Sequence, residues 1–74
     1  MRDLPLISGR ECITALQRMG YSVARTRGSH VRLRCPGRAP VTVPLHRELD
    51  RGTLRSILTQ ADITIAEFLG LLEG

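Results

Sequence analysis

Lysine is absent from this 74-residue chain, and so is tryptophan. All eleven basic side chains are arginine, set against seven acidic ones, giving a formal charge of +4 and a pI near 10.5. GC-rich codon usage alone would produce that bias. Its physical consequence stands regardless, because each guanidinium offers a planar fork suited to bidentate phosphate contact. One tyrosine and one phenylalanine are the only aromatics, which excludes the base-stacking platform of typical single-strand binders. Cys12 and Cys35 have neither the spacing of a metal site nor the density of a disulfide scaffold, so both are expected as buried free thiols. No HxxxH, CxxC or clustered carboxylates occur, so no metal or other cofactor is expected. No apolar run is long enough to cross a membrane, and "MRDLPLISGRE" lacks a signal-peptide core. The expectation is a soluble, cytoplasmic protein.

The length fits a single domain over 1–74, with a thin core. "SGRECITALQRMG" opens with a capping box, Ser8 and Glu11, and closes at Gly20. Cys12, Ala15, Leu16 and Met19 recur between them at helical spacing. Strand-like runs follow at 21–27, 30–35 and 41–45. Gly28-Ser29 joins the first pair and "PGRAP" (36–40) the second. Pro44 can donate nothing to a ladder and assigns the third strand to a sheet edge. Leu54, Ile57, Leu58 and Ala61 mark a second helix. Thr64 and Glu67 cap a third, with Ile65, Phe68, Leu69 and Leu72 as its apolar stripe. The order α-β-β-β-α-α predicts an α+β fold, a three-stranded antiparallel sheet with helices on one face.

Within that order, "RTRGSHVRLR" (25–34) sets one histidine among four arginines. If Val31, Leu33 and Cys35 face the helices, then His30, Arg32 and Arg34 line the opposite face. In the third strand Val41, Val43 and Leu45 face inward, so Thr42, Pro44 and His46 point outward. A five-residue turn pairing Cys35 with Val41 would set His30 directly opposite His46, with Cβ atoms about 4.5–5.5 Å apart. A register shifted by two residues would separate them. The parity of Arg25 and Arg27 is ambiguous near the end of the first strand.

An imidazole beside phosphate-binding cations suits RNA cleavage by transesterification: one group takes the 2′-OH proton, one protonates the leaving 5′ oxygen, and cations stabilise the phosphorane. Arg25, Arg27, Arg32 and Arg34 are the candidate phosphate contacts, Ser29 a hydroxyl contact, and Gly28 the turn residue. Arg10, Arg18, Arg51 and Arg55 read as solvated helix faces. The bland alternatives are equally physical: a bystander histidine, arginines that merely protect an open sheet face, and a plain tight turn.

The segments "SGRECITALQRMGY", "RTRGSHVRLR", "VTVPLH" and "LDRGTLRSILTQADITIAEFL", in this order, give the chain a resemblance to HicA-type toxins, the mRNA interferase half of a toxin–antitoxin pair. The resemblance implies a fold similar to double-stranded RNA-binding domains with an added C-terminal helix. It implies a ribosome-independent RNase acting on mRNA, whose catalytic histidine follows Gly-Ser, here His30. It also implies a HicB-like antitoxin that occludes this surface. His46 matches a recurrent family position and is grouped with the RNA contacts. The competing readings are a non-catalytic double-stranded-RNA-binding module and a protein-interaction module with a basic face.

Overall fold

The computed structural model describes residues 4–74, and its elements run in the expected order. Helix α1 (Gly9–Arg18) leads to strands β1 (Ser22–Arg27), β2 (His30–Cys35) and β3 (Arg38–Pro44), followed by helices α2 (Arg51–Ala61) and α3 (Ile65–Glu73). The strands form one antiparallel sheet in the order β1-β2-β3, which places Pro44 on an edge strand as expected.

Capping residues set the helix starts. Ser8 Oγ accepts from the Glu11 N–H at 3.1 Å while Glu11 Oε1 accepts from the Ser8 N–H at 3.0 Å. Thr64 and Glu67 repeat the box on α3 at 3.1 and 2.8 Å. Helix α2 starts at Asp50, whose Oδ1 accepts from the Thr53 N–H at 2.7 Å. At its other end Asp62 adopts the left-handed conformation, which a short polar side chain tolerates. Arg38 donates there to the Ala61 and Asp62 carbonyls at 2.7 and 3.0 Å, satisfying groups that the helix leaves unpaired.

The buried side chains form one cluster between the sheet and the helices. Helix α1 contributes Cys12, Ala15 and Leu16, and α2 contributes Leu54, Ile57, Leu58 and Ala61. Val31, Leu33, Val41 and Val43 come from the sheet. Of the stripe expected on α3 only Phe68 is fully buried, because α3 packs on the outside of α1. Met19 is likewise half-buried. Cys12 is a buried free thiol, its pKa pushed up to about 12 by burial, whereas Cys35 is only half-buried. Tyr21 is buried with its hydroxyl donating to the Ala39 carbonyl at 2.7 Å.

The second hairpin corrects an expectation. Residues 36–40 are not a loop. The turn is Pro36-Gly37 alone, Cys35 pairs with Arg38, and β3 begins three residues earlier than its apolar alternation suggests. Proline then glycine at a φ of 80° is the type II pattern, whose twist does not match that of the flanking strands. A register shift between Leu33 and Cys35 follows at once. Without it, Cys35 opposite Arg38 would set the apolar residues of β2 and β3 on opposite faces. With it, Val31 pairs with Val43 and Leu33 with Val41, both pairs facing the core.

Gly9 joins the two halves of the fold. Its N–H donates to the His46 carbonyl at 2.9 Å. A Cβ at this position would collide with the Pro44 carbonyl oxygen. No other residue type allows α1 to start so close to the end of β3.

Candidate active site

The tighter register places His30 opposite Pro44, not opposite His46. The direct histidine pair is therefore overturned, for the reason already visible in the turn: two linking residues instead of five draw the strands past each other by three positions, and the register shift between Leu33 and Cys35 restores one, leaving a net two. β3 has ended before His46, so strand parity no longer governs its side chain. His46 is exposed and borders a hollow with Ser8, Arg10, Leu45 and Arg47. None of these residues borders the hollow that contains His30.

That second hollow, about 170 Å³, lies on the open face and is lined by Arg25, Arg27, His30, Arg32 and Thr42. Its arginines converge because the two-residue Gly28-Ser29 turn fixes how β1 pairs with β2. Arg27 pairs with His30 and Arg25 with Arg32, while beyond the register shift Val23 pairs with Leu33 and Ser22 with Arg34. Directly paired residues of an antiparallel ladder point the same way, so this pairing sets Arg25 and Arg27 on the face of His30, and the bulge at Ala24 returns Val23 to the face of Leu33. Without the bulge Arg25 and Val23 would share a face, and one of them would point the wrong way.

The histidine sits on a fixed base. Gly28, at a φ of 57°, takes the first central position of a two-residue turn, where a type II′ hairpin needs glycine. The Ser29 carbonyl accepts from the Leu45 N–H, which ties the turn to the end of β3. Ser29 itself is exposed. Arg32 is half-buried, and its Nη1 donates to Thr42 Oγ1 at 3.3 Å. Arg34 is on the same face, opposite Ser22, but outside the hollow.

Hydrogen bonding separates two groups of arginines. Arg18 donates to the Leu71 carbonyl at 2.6 Å and Arg51 to the Leu4 carbonyl at 2.9 Å, so neither is the merely solvated side chain expected of it. Arg38 ties β3 to the end of α2. Among the described residues Arg25, Arg27 and Arg34 donate no such bonds, and Arg32 reaches only Thr42. The guanidinium groups near His30 are thus among those the fold does not tie to backbone carbonyls, as are Arg10, Arg47 and Arg55 among the described residues.

A larger groove of about 550 Å³ adjoins this hollow. Arg32 and Thr42 border both. Pro40 continues the groove's sheet side, and Asp50, Gly52, Thr53, Ser56, Ile57 and Gln60 form its wall on α2. The sequence reading missed this wall. Thr53, Ser56 and Gln60 follow helical spacing, but polar residues at that period look like any solvated face until the sheet is placed beside them. Among the described residues no group of three or more His, Cys, Asp or Glu side chains could hold a metal ion. No described helix is long and apolar enough to cross a membrane.

A family model described as "HicA toxin of bacterial toxin-antitoxin" matches residues 9–63, which is more than half of the chain. Among solved structures, one described as a toxin–antitoxin complex from Streptococcus pneumoniae contains a similar chain. The two are 33% identical with a TM-score of 0.68, over 77% of this chain and 98% of that one. No curated protein matches the sequence.

Proposed function

This chain belongs to the HicA toxin family, and from that premise we propose that it is a metal-independent endoribonuclease that cleaves mRNA with His30 as general acid or base. The observation that supports this most directly is the single hollow in which His30 meets Arg25, Arg27 and Arg32. In such a hollow the arginines hold the scissile phosphate, the 2′-OH attacks phosphorus, and the P–O5′ bond breaks. The products are a 2′,3′-cyclic phosphate and a free 5′-OH. The imidazole moves a proton at one of the two oxygens, and the guanidinium groups stabilise charge developing on the phosphorane. Arg34, outside the hollow but on the same face, extends the phosphate track, with Gly28 and Ser29 at its turn. His46, beside Arg10 and Arg47, is assigned an outlying contact to the RNA backbone and no proton transfer.

The neighbour from Streptococcus pneumoniae is described as part of a toxin–antitoxin complex. We assign this chain an antitoxin partner of the HicB type, one that covers the basic face and so blocks RNA. An acidic partner surface suits the net charge of +4.

The test is cleavage of an end-labelled single-stranded RNA in EDTA by the native protein and by His30→Ala. The native protein should yield a 2′,3′-cyclic phosphate end, and a 2′-deoxy substitution at the cleaved position should block the reaction. The variant should be slower by roughly 10²–10⁴-fold, the usual contribution of a general acid or base. RNA that is bound but cleaved by neither protein would make the chain a binding module and His30 a bystander.

A further inference from the structure

We propose that the groove between α2 and the open face of the sheet holds the base of a nucleotide next to the scissile phosphate, and that it favours a base with an exocyclic amino group over uracil. This rests on the endoribonuclease reading above and adds what the neighbouring site recognises.

Position comes first. Arg32 and Thr42 line both the His30 hollow and the groove, so a nucleotide adjoining a phosphate in the first can enter the second. The groove's volume of about 550 Å³ lies within the roughly 300–1,000 Å³ common to ligand sites. The His30 hollow, at about 170 Å³, is much smaller.

Charge then divides the labour. Three arginines line the hollow, whereas the groove has Arg32 at its border and the Asp50 carboxylate within it. A carboxylate repels phosphate but accepts hydrogen bonds from a base edge. Asp50 is held in place as the cap of α2, with Oδ1 on the Thr53 N–H at 2.7 Å and Oδ2 on the Thr53 hydroxyl at 3.0 Å. A carboxylate accepts about four hydrogen bonds, so capacity remains. Pro40 and Ile57 give the groove apolar surface for a ring face, while the Ser56 and Gln60 side chains make no hydrogen bond among the described residues and can meet ring edges. An acceptor-only carboxylate selects for N–H groups. Cytosine, adenine and guanine each carry an amino group, but uracil flanks its one ring N–H with carbonyl oxygens.

The experiment uses oligonucleotides that are 2′-deoxy except at one position, so that a single linkage can be cleaved. The base on either side of that linkage is varied through A, C, G and U. Cleavage is compared for the native protein, Asp50→Asn and Gln60→Ala. Asparagine caps a helix as well as aspartate does but donates as well as accepts. Binding of the same oligonucleotides to His30→Ala is measured in parallel, with and without Asp50→Asn. The native protein should cleave beside an amino-bearing base roughly tenfold faster than beside uracil, the scale of one hydrogen bond to a charged group. Asp50→Asn should bring that ratio close to one, and Gln60→Ala, which touches no cap, should lower it.

Cleavage that is indifferent to the flanking base, or a preference unchanged in both variants, would overturn the groove and leave the endoribonuclease reading standing. Absence of cleavage with an Asp50-dependent base preference in binding would overturn the endoribonuclease reading and uphold the groove. Absence of cleavage with base-independent binding, or with no binding, would overturn both.

Discussion

The Gly28-Ser29 turn decides what Arg25 and Arg27 can do. Alternation counted from Val23 gives them the opposite face, and the residues themselves carry no sign of the bulge at Ala24 that reconciles the two. A bulge is a property of the ladder: it appears where β1 must satisfy Val23 opposite Leu33 and Arg27 opposite His30 at once. His30, Arg32 and Arg34 were legible because the flanking Val31 and Leu33 are unambiguous core residues. His46 was misplaced because its position depended on a turn length that parity alone cannot supply. The resulting sort of arginines is testable. In salt titrations of RNA binding, Arg25→Ala, Arg27→Ala and Arg32→Ala should each weaken affinity and flatten the log–log slope by about 0.7 per lost phosphate contact. Arg18→Ala, which removes a bond to α3, should leave the slope alone. Equal flattening by Arg18→Ala and Arg32→Ala would dissolve the distinction between fold-tying and site arginines.

Elements with local signals were readable, and elements that answer to distant partners were not. Helices α1 and α3 announced themselves through caps and stripes within a few residues of sequence, and α2 through its stripe alone. Pro40 made the start of β3 look like a loop, yet on an edge strand a missing N–H costs no ladder bond. The α2 wall of the groove stayed hidden for a related reason: its meaning comes from Arg32 and Thr42, contributed by the sheet.

The caps also predict an acid response. The Thr53 backbone and side-chain hydrogen bonds hold the Asp50 carboxyl below its usual range, and those of Thr64 do the same for Glu67. A folded-state pKa below the unfolded one gives stability that is complete above the unfolded value and is lost as pH falls through the folded one. The melting temperature should therefore hold steady from neutral pH to about 5 and decline below about 4, the ordinary carboxylate range. Asp50→Asn, whose cap does not titrate, should decline less over that window by circular dichroism. Identical acid profiles would show that the Asp50 cap adds nothing in the native state.

At the scale of the whole molecule the core is thin, and its parts depend on one another. At roughly 0.05–0.15 kcal/mol per residue, 74 residues imply a total stability of roughly 4–11 kcal/mol. Phe68 is the one fully buried side chain of α3, and α3 rests on α1. The start of α1 in turn holds the end of β3 through the Gly9 N–H on the His46 carbonyl, and β3 holds the His30 turn through the Leu45 N–H on the Ser29 carbonyl. Losing α3 should thus reach the site without touching it. Truncating a buried phenylalanine costs roughly 3–5 kcal/mol, a large share of that total. Phe68→Ala should lower the urea midpoint steeply, and its RNA cleavage should fall in step with the unfolded fraction. Leu72→Ala, at a half-buried position of the same helix, should cost clearly less. If Phe68→Ala kept the native midpoint, α3 would be an appendage and the path from it to His30 would not exist. If activity vanished while the midpoint held, α3 would act on the site directly and not through the core.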